Sequence, residues 1–212
     1  MAGRARKGNH ETNGFGKQLL DRAPFYFILF RPNGEKTYFA RQIGLDNVLF
    51  VLDTDHIHSS DGEQLDWMKE EFSKHNDKAF RFASYHISLY PSVRKPDHQS
   101  HVKLRKNWLP VFDRNRLIVA FENHDHALKK SWSLKENQVT ETGGTYYLGD
   151  GNWGTRSKKP RQQWYLEATG SINHVWSIEL LAGTASFKAL TIEGIDNDYT
   201  FEIEVSSDAI TK

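Results

Sequence analysis

The chain of 212 residues has no cysteine, which excludes disulfides, thiolate metal sites and cysteine nucleophiles. An excess of either charge is also missing. With 28 Lys and Arg against 27 Asp and Glu, no bulk field draws nucleic acid or an acidic partner. Long hydrophobic runs are absent: those at 25–30 and 48–52 fall far short of the roughly 20 residues of a membrane helix. Neither nucleic acid nor membrane is therefore expected as a partner. The start, Met1-Ala2-Gly3-Arg4-Ala5-Arg6-Lys7, is basic but lacks the apolar stretch of a signal peptide, and no Asn-x-Ser/Thr site occurs. A lack of cysteine is common to exported and cytosolic proteins, so it assigns no compartment.

What is present suits a packed sheet. Aromatics make up 13% of the chain. The length fits one domain spanning 1–212, with a disordered basic start at 1–7. Segments 25–30 and 37–43 read as strands around a turn at Pro32-Asn33-Gly34. The apolar run 48–53 reads as a strand buried on both faces. Ser59, Ser60 and Asp61 are candidate N-caps for a helix carrying Leu65, Met68 and Phe72 on one stripe. Segment 80–85 is a strand that delivers His86, and 117–121 is a strand that runs on to His124 and His126. Between them 102–112 reads as a helix up to Pro110, and 144–148 reads as a further strand. Three alternating segments at 175–181, 186–192 and 200–205 form an antiparallel β tail over 174–205. Alternating strands and helices followed by that tail predict a mixed α/β fold of two stacked β-sheets flanked by helices.

Four short pieces carry chemistry: Gly8-Asn9-His10-Glu11, Tyr85-His86-Ile87, and the pair His124 and His126 in Asn123-His124-Asp125-His126. Neutral imidazole suits zinc and iron, and amide or carboxylate oxygen suits harder ions such as manganese. Taken singly, a histidine at a strand end is more often a hydrogen-bonded structural residue than a ligand. Here two buried strands release histidines at their carboxyl ends, where open α/β sheets place their ligand crevice. His124 and His126, two apart in an extended segment, would present both rings to one side.

Other groups are weighed and set aside. Asp53, Asp55, His56 and His58 resemble a metal cluster by composition but read as a loop after a strand, with Asp53 available to orient a histidine. His98 and His101 lie in a polar loop, where a solvated setting is favoured over the lining of a substrate pocket, and the basic run 156–161 reads as a solvated loop in preference to a phosphate-attracting rim. The glycine-rich stretch 149–154 matches no nucleotide-binding pattern and reads as a tight turn near the rim of the site. Trp67, Trp108 and Trp176 are expected to pack, and Trp153 to wall a pocket.

The order of these motifs resembles the calcineurin-like metallophosphoesterases, and the purple acid phosphatase-like branch in particular. Gly8-Asn9-His10-Glu11 is similar to that family's GNH[E/D] motif, Tyr85-His86-Ile87-Ser88-Leu89-Tyr90-Pro91-Ser92 to its GHxP segment, and Asn123-His124-Asp125-His126 to GHxH. Gly62-Glu63-Gln64-Leu65-Asp66-Trp67-Met68 resembles the helix of its GxQxxWL pattern. The resemblance implies a phosphoester hydrolase holding a dinuclear iron, zinc or manganese site, in which a metal-bound hydroxide attacks phosphorus. Asn9, His86 and His124 would hold one metal and His126 the other. His10 would approach the phosphoryl group, and the substrate would be a small or macromolecular phosphoester.

Three departures qualify that expectation. The family's Asp-x-His and Gly-Asp motifs precede GNH[E/D], and neither occurs here; the chain reads as N-terminally truncated and lacking the first strands, with one metal or none retained. Asn123 stands where the family has glycine, and Ser88 where it has proline. The alternative is thus a catalytically impaired remnant acting as a binding or structural domain. Missing strands would expose apolar faces at 48–52 and 117–121 and favour self-association through open sheet edges.

Overall fold

The computed structural model describes residues 36–149, 152, 154–181 and 183–204. Asn9 and His10, the strand expected at 25–30, the basic start and Trp153 lie outside the described residues.

The middle of the central sheet follows from short, largely apolar strands. The run expected as doubly buried forms β2 (Asn47–Val51), beside its hairpin partner β1 (Phe39–Ile43). All six residues of β3 (Phe80–Tyr85) and all four of β4 (Val119–Glu122) are buried. β2, β3, β4 and β8 (Tyr146–Gly149) pair in parallel, and antiparallel β5 (Leu128–Ser131) and β9 (Leu166–Gly170) extend the sheet. The strand order is β1-β2-β3-β4-β8-β5-β9. A two-stranded ribbon, β6 (Leu134–Lys135) with β7 (Gln138–Val139), projects after β5.

Among the described residues, two helices cover one face. α1 (Glu63–Lys74) buries Gln64, Met68 and Phe72, and Phe72 stacks on Phe50 with ring centroids 3.7 Å apart. Burying each such aromatic is worth about 1.5–3 kcal/mol. Its N-cap is Gly62, without a side-chain cap bond, and not one of the expected polar residues. The reason is local: the amide and hydroxyl of Ser60 bond the Asp55 carboxylate at 2.7 and 2.9 Å, which draws Ser60 away from the helix end. α2 (Gln99–Arg114) begins earlier than expected and continues through Pro110. Pro110 is exposed, so the carbonyl it leaves unpaired faces water, while buried Val111 and Phe112 reward continuation.

The opposite face packs on a second, antiparallel sheet made of β10 (Val175–Leu181), β11 (Thr184–Thr191) and β12 (Gly194–Glu204). Strand alternation makes this two-sided burial possible. In β3, Phe80 and Phe82 point to the second sheet, and Ala83 and Tyr85 point to the helices. Phe82 meets Phe187 of β11 edge-on at 6.4 Å, beside Val119, Phe121 and Leu148. The expected mixed α/β architecture of stacked sheets with helices is therefore present.

The exposed apolar faces expected at 48–52 and 117–121 are not. Val48, Phe50, Leu52, Leu117, Val119 and Phe121 are buried, and Leu49, Val51 and Ile118 half-buried, because β3 and β8 flank β4 and the helices and second sheet cover both faces. Among the described residues no helix is long and apolar enough to cross a membrane, which says nothing of a β-barrel.

Candidate metal centre at the carboxyl edge of the sheet

β3 and β4 run in register, with Tyr85 opposite Glu122, and the Asn123 amide extends the ladder to the His86 carbonyl at 3.1 Å. That extra step carries the residues after both strands to one edge. His86 Nε2 and His124 Nδ1 approach to 2.8 Å, close enough to share a proton, with their rings inclined at 65°. Burial pushes the His124 imidazole down to about 3, and the Arg94 guanidinium acts in the same direction. His124 is thus neutral at ordinary pH, the form that offers a lone pair to a metal.

A third imidazole stands beside this pair. His56 meets His86 edge-on at 5.0 Å, and its amide donates to the Asp53 carboxylate at 2.8 Å. Asp53 also accepts the amides of Ile57 and His58, and a short hydroxyl bond from Thr37. Gln64 closes the same loop from α1, accepting from the Asp53 amide and donating to the Asp53 and Ser59 carbonyls. The 53–60 loop is thus held by a carboxylate and a glutamine. Asp53 and Asp55 accept hydrogen bonds that hold this loop, and the placement of His56 against His86 was not foreseen. Both residues follow adjacent parallel strands, and that adjacency is a property of the sheet order.

Two buried carboxylates fix the 86–94 loop. Glu122 accepts from the amides of Leu89 and Tyr90, the Tyr85 hydroxyl at 2.8 Å and Lys129 Nζ. Asp125 accepts from the amides of Ser92 at 2.5 Å and Val93 at 2.7 Å, and from Arg94 Nη1 at 2.7 Å. Burial alone would raise the Asp125 carboxyl. Lys129, the Val93 amide and Arg94 outweigh it and hold the group at about 2. Asn123 does not intrude on the site. Its side chain folds back, with Nδ2 donating to the Tyr85 carbonyl at 2.6 Å, so this position tolerates a Cβ where the resembling family has glycine.

The segment 124–126 is not extended. His126 has φ 53°, in the left-handed region, because Asp125 is drawn inward by the 92–94 loop. His126 Nδ1 lies 3.5 Å from the Thr155 hydroxyl, and the His126 carbonyl accepts from the Lys158 amide at 2.9 Å. The structure therefore brings His86 and His124 together and sets His126 at the turn facing the 155–158 loop.

The imidazole chemistry suits the nitrogen side of a zinc or iron centre: two rings meet nitrogen to nitrogen, and burial keeps one of them neutral. Among the described residues, however, no three His, Asp or Glu side chains are placed to hold one metal ion. The pair fits part of a metal centre.

His101, expected in a solvated loop, is buried, with Nδ1 2.6 Å from the Ser88 carbonyl. Trp108 is buried and donates to the Ser60 carbonyl at 2.7 Å, and Trp67 and Trp176 pack against the two cores.

No protein-family model matches the sequence, and no curated protein matches it. Solved structures do. A purple acid phosphatase, PPD1, from yellow lupin (Lupinus luteus) seeds superposes with TM-score 0.69 at 12% identity, covering 85% of this chain and 34% of that one. The fold is that of a purple acid phosphatase-like metallophosphoesterase. PhoD superposes with TM-score 0.63 at 10% identity, over 89% of this chain and 45% of its own. GAP50, the anchor in the inner membrane complex of Plasmodium, gives TM-score 0.65 at 12% identity, over 81% and 56%. The chain spans well under two thirds of each of these proteins. At such identities the likeness establishes the fold alone.

Proposed function

We propose that this chain hydrolyses phosphoesters with a metal centre to which His86 and His124 contribute. The observation that carries the reading is their 2.8 Å approach at the carboxyl ends of two parallel strands of a metallophosphoesterase fold. In this reading Asn9 joins them on one cation, His126 serves a second, and His10 faces the phosphoryl group. A bound iron, zinc or manganese ion would supply Lewis acidity and activate water. The chain's own residues do the rest. Burial keeps His124 neutral, Glu122 and Asp125 fix the loops that carry the two rings, and Arg94 bridges Asp125 to the His124 carbonyl at 2.8 Å.

A second reading is a binding or structural domain without turnover. It draws on the lack of a third ligand among the described residues and on the anchor role that the name of GAP50 carries. Elemental analysis of the purified chain, with an aryl phosphate assay, separates the two. Hydrolysis expects close to two equivalents of metal and turnover abolished by His124→Ala. Less than half an equivalent, with no turnover, would sink it in favour of the second reading.

A further inference from the structure

Beside His124 lies a cavity of about 460 Å³ walled by Arg94, Lys95, His98, His101 and Arg161. No carboxylate lines it. Its volume is that of a small-molecule site and far exceeds one phosphoryl group. Backbone bonds build the wall opposite α2. The Arg161 amide donates to the Ser92 carbonyl at 2.7 Å and the Lys158 amide to the His126 carbonyl, so the basic 156–161 stretch is pinned across the rim. Its side chains stay largely exposed, as expected of a solvated loop. Among the described residues, neither Lys95 nor Arg161 has an ion-pair partner. Arg94 commits Nη1 to Asp125 and the His124 carbonyl, and its Nε and Nη2 have no hydrogen-bond partner there. Among the described residues, two cations without an ion pair thus share one concavity with a guanidinium half used on Asp125, and an anion entering it would gain from all three. The first turn of α2, with its positive end, adds in the same sense.

We propose that this cavity is a subsite for a second anionic group of the substrate, phosphoryl or carboxylate, while the first group lies at the His86–His124 pair. The preferred substrates are then phosphoesters with two anionic groups a few bonds apart. The inference rests on the hydrolase reading for the role of the first group, but anion binding can be measured without turnover.

Calorimetry on the full chain with inorganic phosphate, inorganic pyrophosphate and 2-phosphoglycolate provides the test, alongside Lys95→Gln/Arg161→Gln. Both substituted residues are solvent-exposed at the rim, so the fold should survive, and circular dichroism checks that it does. Pyrophosphate or phosphoglycolate should bind the unaltered chain at least about tenfold more tightly than phosphate, a step of about 1.4 kcal/mol. The double variant should lose about tenfold for those two probes and under about threefold for phosphate. Which probe binds better tells phosphoryl from carboxylate. Equal binding of all three anions, or a double variant within about twofold of the unaltered chain, overturns the subsite. Aryl phosphate turnover run in parallel keeps the two ideas apart. Preference without turnover removes the hydrolase and leaves the subsite; turnover without preference does the reverse.

Discussion

Glu122 and Lys129 meet at 2.5 Å with both side chains fully buried, each also holding the 86–94 loop. Glu122 takes two amides of that loop, and Lys129 Nζ bonds the Tyr90 carbonyl. Removing one partner strands a charge in a dry interior. Lys129→Met or Glu122→Gln should each destabilise the chain by about 3–5 kcal/mol in urea unfolding, with the double variant losing less than the sum. Additive losses would show that the two groups do not act as a pair.

Room for that lysine depends on a glycine. A Cβ at Gly149 would strike Lys129 Cγ and come within 3.0 Å of the Ala127 carbonyl oxygen. Gly149→Ala is expected to cost about 1–3 kcal/mol through overpacking, read as a lowered urea midpoint with an unchanged slope. An unshifted midpoint would mean that the β5–β8 pair yields freely.

Asp125 bonds the Ser92 and Val93 amides, so Asp125→Asn weakens charge-assisted bonds worth about 1.5–3 kcal/mol each. Hydrogen exchange at those two amides should quicken ahead of exchange in β3 and β4. Unaltered protection at Ser92 and Val93 would count against the clamp.

His101 gives the stability an acid limb. Burial holds its imidazole below the usual value, and the Ser88 carbonyl draws it only partly back. The unfolded imidazole takes a proton near about pH 6.5, before the folded one does. Below that pH the unfolded chain binds more protons, so stability falls as pH falls through the window from about 6.5 down to the lowered folded value. His101→Gln should flatten that limb in urea titrations run across it, and an unchanged pH slope would assign the acid sensitivity to other groups.

The tertiary fold also gives His124 a neutral ring next to His86, and the coupling should be visible by NMR. The His124 ring should stay unprotonated down to about pH 4, given a value of about 3, whereas in urea it should titrate near 6.5. A folded-state midpoint near 6.5 would mean that the ring is open to solvent.

Much of the frame could be read from residue order. The short, largely apolar segments gave β2 and β3, the stripe of Leu65, Met68 and Phe72 gave α1, and alternation gave β10 from end to end. Other elements escaped. β5 reads Leu-Lys-Lys-Ser, a sequence that looks like a solvated turn until Lys129 finds Glu122 seven residues earlier, and β9, Leu-Glu-Ala-Thr-Gly, has one large apolar residue to mark it. Pro110 argued for a stop that the fold overrode, because its unpaired carbonyl could face water.

Sequence by itself determined the types of chemistry on hand. It supplied imidazoles at strand ends, no thiol, balanced charge, and apolar runs that must pack as a sheet. Only the tertiary structure decided which of these groups meet. Strand order brings His56, His86 and His124 to one edge, the buried Asp125 carboxylate draws the chain at His126 away from an extended course, and packing brings Arg161 to one cavity wall with Arg94 and Lys95. The physical reason is that periodicity reports how each segment faces its neighbours, whereas proximity across tens of residues depends on pairing and desolvation that no local pattern encodes.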